Sequence, residues 1–181
     1  MRLISKYISI FVILLVGCVE LPTESFTNPL DAEEQASKGI EPPALIFMPD
    51  TMNVNVGNPV TARVFIMGAE NVRGVHLRIG YDAAALAVSS AEIGDISQIV
   101  GKVSIFLYEN HPTEGYVDIY TSYVGSDSLS TNGNVNLVNI VFNSTLAGET
   151  KLEFKAETEL VDPVDSPIAI NGLGVGVVNA N

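Results

Sequence analysis

The sequence is poor in cysteine, tryptophan, histidine and positive charge. It has one cysteine, Cys18, which excludes an internal disulfide and a cysteine-rich zinc site. Nine Lys and Arg stand against 21 Asp and Glu, a formal charge of −12. That balance repels phosphate backbones, so no nucleic-acid partner is expected. There is no Trp, so six Tyr and seven Phe must supply every aromatic contact. No serine elbow, HExxH pair, phosphate-binding loop or metal-spaced histidine cluster occurs. The expectation is a protein that is not an enzyme and needs neither cofactor nor metal. What is present is apolar: 47% of 181 residues, enough for one domain with a core that needs no staples.

Part of that apolar content sits at the start. Arg2 and Lys6 precede the uncharged run Tyr7 to Gly17, a positive n-region followed by an apolar h-region. The run is too short for the roughly 20 residues that a bilayer-spanning helix requires, and it reads as a cleaved export signal over residues 1–17. Leu15-Val16-Gly17-Cys18 resembles the bacterial lipobox, in which a small residue precedes a cysteine that is lipidated and becomes the first residue. Acyl chains on Cys18 would each contribute about 0.8 kcal/mol per buried CH₂, and several chains anchor a protein to a membrane. Cleavage would leave seven cationic residues against 21 acidic ones, a charge of −14. Val19 rather than Asp follows the cysteine, which under the sorting rule of enteric bacteria implies the outer membrane or the cell surface.

Residues 18–43 carry six acids, one Lys and four Pro with no sustained period of two or 3.6, which is the composition of a disordered tether. The alternative is an arm packed on the domain through Leu30 or Phe26. From Ala44 to Asn181 the pattern changes to short runs of Val, Ile, Phe and Tyr punctuated by Gly, Asn, Asp and Pro. This predicts an all-β, two-sheet antiparallel sandwich of about nine strands. Strands are expected near 45–48 with 52–56, 59–67, 72–81, 86–89, 103–109, 115–123, 135–143, 150–157 and 168–178.

Alternation divides these runs into faces. Val75, Leu77, Ile79 and Tyr81 oppose His76, Arg78 and Gly80. Val117, Ile119, Thr121 and Tyr123 oppose Tyr116, Asp118, Tyr120 and Ser122. Leu152, Phe154 and Ala156 oppose Lys151, Glu153, Lys155 and Glu157. Val103, Ile105, Phe106, Leu107 and Tyr108 are apolar on both faces, so that strand is either covered twice or belongs to a contact surface.

The order of several motifs suggests a family. Val54-Asn55-Val56-Gly57-Asn58-Pro59, Val72-Arg73-Gly74-Val75 and Gly80-Tyr81-Asp82 with Leu86-Ala87-Val88 are followed by Gly115-Tyr116-Val117-Asp118-Ile119. Leu137 to Phe142, Gly148 to Phe154, Leu160-Val161-Asp162 and Gly174-Val175-Gly176-Val177 then close the series. Together they resemble a cohesin domain over about residues 44–179, with Ala83 standing where the family usually carries Pro. The resemblance implies a nine-stranded jelly roll whose third, fifth, sixth and eighth strands share one sheet. It also implies a function: cohesins bind dockerins, small calcium-loaded modules on secreted enzymes, with the outer face of that sheet.

If that sheet order holds, His76, Arg78, Tyr116, Asp118, Tyr120, Glu153 and Lys155 form one polar, aromatic-studded face for a dockerin-like or other secreted protein partner, with Arg78 paired to Asp118 or Glu153. Tyr supplies contact area at low entropic cost. In dockerin-binding cohesins the positions of His76 and Arg78 often hold an acidic or amide residue and a small one. The competing readings are a plain solvated sheet and a polysaccharide site in which Tyr116 to Tyr123, Phe106 or Tyr108 stack on sugar rings.

Overall fold

The computed structural model describes residues 30–98, 103–124 and 130–181; Cys18, the export segment and the first part of the tether lie outside the described residues. The strands are β1 (Ala44–Phe47), β2 (Thr51–Val54), β3 (Pro59–Val72), β4 (Gly74–Gly80), β5 (Leu86–Ile93), β6 (Val103–His111) and β7 (Tyr116–Val124). They continue as β8 (Thr131–Ser144), β9 (Gly148–Phe154), β10 (Glu159–Val161), β11 (Pro167–Ile168), β12 (Gly172–Leu173) and β13 (Gly176–Ala180). One short helix, α1 (Ala32–Ser37), precedes them, and a 3₁₀ turn (Asp95–Gln98) follows β5.

Two sheets form the expected sandwich. The first runs β12-β1-β3-β8-β5. In the second, β6 pairs with β7 and β7 with β4, whose other edge meets β10 near Gly74 and β9 near Gly80; β13 and β2 follow β9. The strands expected to share a sheet, now β4, β6, β7 and β9, do so. The antiparallel expectation needs one amendment: β1 with β12 and β2 with β13 are parallel pairs. These partners come from opposite ends of the domain, so no hairpin forces them to run antiparallel.

The alternation expected from sequence is what fills the core. Leu77, Ile79, Val117, Ile119, Leu137, Ile140, Phe142 and Leu152 are completely buried between the sheets, each large aliphatic or aromatic side chain contributing about 1.5–3 kcal/mol. The turns follow their residue chemistry. Gly57 sits at φ 87° between β2 and β3, a conformation costly for residues with a Cβ. Asp82 accepts a 2.9 Å hydrogen bond from the Ala84 amide after β4, a side-chain cap of that turn. The buried Tyr123 hydroxyl donates to the Ile96 carbonyl at 3.0 Å and also pairs with the Thr131 hydroxyl, tying β7 to the 3₁₀ turn and β8.

The described part of the predicted tether is packed, not free. Asp31 caps α1 by accepting from the Glu33 and Glu34 amides at 2.9 and 3.1 Å, and those two acids complement the helix N-terminus. Lys38 reaches Asp50 at 3.1 Å. Leu30, Ile40 and Met48 then cover Ala44, Ile46, Phe65 and Met67 on the outer face of the first sheet. This is the alternative read from the sequence, an arm anchored through Leu30; acidic and proline-rich composition favoured a free tether instead, because only a few apolar residues anchor the arm and they follow no period.

Candidate functional site

Among the described residues nothing covers the outer face of the second sheet, and its register sets out the side chains in rows. Across β4 and β7, His76 stands opposite Tyr120, Arg78 opposite Asp118 and Gly80 opposite Tyr116. Across β7 and β6, Asp118 is opposite Glu109, Tyr120 opposite Leu107, Ser122 opposite Ile105 and Tyr116 opposite His111.

Asp118 is the hub. It is only 3% exposed although it lies on the solvent side of the sheet, because its partners close over it. The Arg78 guanidinium donates to both carboxylate oxygens at 2.8 Å, a bidentate geometry that fixes both side chains. His76 Nε2 lies 2.9 Å from Oδ1, and His111 Nε2 is 3.8 Å from Oδ2. The Arg78 bonds hold the Asp118 carboxyl below the ordinary carboxylate range; burial opposes this, and the His76 bond adds to it. Arg78 also reaches Glu157 at 2.9 Å and lies 4.3 Å from the centre of the Tyr116 ring, a cation–π contact. The His76 and Tyr120 rings stack 4.4 Å apart, and His111 packs on Tyr116 at 4.6 Å.

Beside this polar centre runs an apolar row. Val103, Ile105 and Leu107 of β6 are 68%, 57% and 59% exposed. Between them and β10 lies a groove of about 250 Å³ lined by Ile105, Tyr120, Ser122, Glu159 and Val161, with Gly74 at its edge.

Five of the seven residues singled out in the sequence thus meet: His76, Arg78, Tyr116, Asp118 and Tyr120. Glu153 and Lys155 stand at one end of the face and form their own ion pair at 3.4 Å, Lys155 lying across Gly80, where any Cβ would collide with it. Arg78 pairs with Asp118, as one expectation had it, but its second partner is Glu157, not Glu153. The cause is the turn between β9 and β10, closed by the Thr158 amide on the Lys155 carbonyl at 3.0 Å, which swings Glu157 toward β4. Sequence reading left out His111; the β6 aliphatics, read there as either covered twice or part of a contact surface, join this face. Strict alternation through 103–111 places His111 on the side of Ile105 and Leu107.

No family model matches the sequence, and no curated protein is similar to it. Solved structures are similar in fold. The sixth cohesin of scaffoldin B from Acetivibrio cellulolyticus, solved with a Cel5 dockerin, superposes with a TM-score of 0.60 at 20% identity, covering 76% of this chain and 98% of that one. A non-cellulosomal cohesin from the archaeon Archaeoglobus fulgidus gives 0.58 at 15% identity, over 76% and 91% of the two chains. The OlpC cohesin from Clostridium thermocellum, in a type I cohesin–dockerin complex, gives 0.62 at 13% identity, over 76% and 92%. Strand order, sandwich geometry and these superpositions agree: this chain has the cohesin fold.

Proposed function

We propose that this chain is a non-catalytic docking module that binds a dockerin-like protein partner through the outer face of β6, β7 and β4. One observation carries the reading. An exposed aliphatic row, Val103, Ile105 and Leu107, borders a locked Arg78–Asp118 centre on a sheet that nothing in the described chain covers. Protein interfaces combine an apolar core with aromatic and arginine anchors in this way. The solved cohesin–dockerin complexes of the same fold support the choice of partner. We further propose that Cys18 carries the lipid that holds the module at the cell envelope, in the outer membrane or at the cell surface.

The test is calorimetric titration of the chain with calcium-loaded dockerin modules from secreted proteins of the same organism. Arg78→Ala and Tyr120→Ala each weaken binding by about tenfold or more, the range of interface anchors, while the thermal unfolding midpoint shows the domain still folded. Unchanged affinity in both variants moves the site off this sheet. Absence of dockerin binding together with retention on a polysaccharide array turns the reading to a sugar-binding protein. Against that alternative, the ring surfaces a sugar would need are partly taken, Tyr120 by His76 and Tyr116 by Arg78 and His111. For the anchor, Cys18→Ser moves the chain from the membrane fraction to the soluble one; a variant still in the membrane fraction refutes it.

A further inference from the structure

The groove between β6 and β10 joins two chemistries. Its walls are apolar, with Ile105 of β6, Tyr120 of β7 and Val161 of β10 in the lining. Gly74 belongs to the same lining, and a Cβ there would lie 2.7 Å from the Val161 side chain, so glycine leaves room that any other residue would fill. One acid also lines the groove, Glu159. It is exposed and stands opposite His76 in the pairing of β4 with β10. The cationic groups nearby are engaged elsewhere. Arg78 is held by Asp118 and Glu157, and Lys155 pairs with Glu153. His76 turns Nε2 to Asp118 and its ring to Tyr120, and Arg73 donates to the Pro163 carbonyl at 2.8 Å. Among the described residues Glu159 enters no ion pair.

We propose that this groove is a specificity slot for a basic side chain, a lysine or arginine of the protein partner. Its methylene stem lies against Ile105, Tyr120 and Val161, and its cationic head reaches Glu159. The slot deepens the docking reading and rests on it for the source of that side chain. Shape and charge select the occupant together. Lys and Arg are the side chains that carry several methylenes before a positive head, which matches an apolar wall bearing a carboxylate. An aliphatic or aromatic side chain would fill the groove but cover the Glu159 carboxylate without a partner, and an unpaired carboxylate is costly to bury. An acidic side chain would meet Glu159 as a like charge, on a chain whose formal charge is already −12. Two partners with equal apolar contacts are then told apart by the residue each places here, one by attraction and the other by an uncompensated charge.

NMR titration of the full chain with capped tripeptides, acetyl-Gly-X-Gly-amide with X lysine, arginine, norleucine or glutamate, tests this. Norleucine keeps the stem and removes the charge. The amide resonances of Gly74, Ser122, Glu159 and Val161 shift saturably with the basic peptides, which bind at least about threefold tighter than the norleucine peptide, within the range that an exposed ion pair supplies. The glutamate peptide binds weakest. Glu159→Gln brings the basic peptides down to the norleucine level, and added salt narrows their advantage in the wild type. Ile105→Ala weakens the basic and norleucine peptides alike, because it shortens the wall. Both substitutions are at exposed positions, and the thermal unfolding midpoint shows each variant folded. The proposal is overturned if neither basic peptide binds tighter than the norleucine one, if Glu159→Gln leaves the preference intact, or if the groove resonances do not move. Because no dockerin takes part, any of these results leaves docking on this face standing. Dockerins that fail to bind, with basic peptides still selected by Glu159, overturn the choice of partner and keep the slot.

Discussion

The two outer faces of the sandwich are built from similar strands and treated in opposite ways. On the first sheet, Ile46 and Met67 point outward and are almost fully buried, because residues 30–43 fold back over them. On the second, Ile105 and Leu107 also point outward and remain more than half exposed. The first face is closed by the chain's own arm. The second keeps its apolar row open and closes only its charged residues, Asp118 beneath Arg78 and His76. Contiguous apolar surface is rarely left without use, so the contrast separates a face completed in folding from the one proposed for docking.

Substitutions can break that contrast, and the largest effect belongs to the covered side. Ile46→Ala leaves a hole under the arm and costs about 2–4 kcal/mol, read as a lower urea midpoint at unchanged slope. Asp118→Asn comes next, at about 2 kcal/mol near neutral pH, since hydrogen bonds to charged groups are lost and Arg78 keeps only the exposed Glu157 as counter-ion. Because the folded pKa of Asp118 is depressed, its contribution is fully present above the unfolded value of about 3.9 and is lost as pH falls through the lower folded value. The gap between wild type and Asp118→Asn in urea midpoint therefore narrows as pH falls well below about 4. A gap that persists in strong acid means the pair does not act through charge. Asp31→Ala removes the α1 cap for about 1 kcal/mol, and hydrogen exchange rises in residues 32–40 before it rises in the strands. The smallest effect sharpens the comparison most: Ile105→Ala changes stability by less than about 0.5 kcal/mol, although residue type and strand setting match those of Ile46.

Much of the sandwich was legible because burial on one side imposes a period of two. Val75, Leu77 and Ile79, or Val117, Ile119 and Thr121, announce their faces by alternation alone, and all are buried as expected. The arm over 30–43 was legible only as the alternative to a free tether, with Leu30 named and Ile40 not, because these anchors are isolated apolar residues whose burial depends on a sheet surface formed far along the chain. The site shows the same division. The His76, Arg78, Tyr116, Asp118 and Tyr120 cluster follows from two adjacent strands in simple register, so alternation and strand order suffice to find it. Glu157 was set on the wet face by alternation but missed as the partner of Arg78, because it lies past β9 in a turn that carries it toward β4. His111 was missed because Asn110-His111-Pro112 reads as a turn, whereas β6 carries its pairing as far as His111 and places the ring against Tyr116.

The bidentate clasp between Arg78 and Asp118 also has a kinetic consequence. Both side chains are held before any partner arrives, the guanidinium by two 2.8 Å bonds and by contact with an aromatic ring, so their rotamers need not be frozen during encounter. A protein docking here meets a finished surface, and its arrival is governed by diffusion and long-range charge. Differences among partners then appear in how long each stays, and evolution can retune residence time at Ile105, Leu107 and Tyr120 while leaving the rate of capture nearly constant.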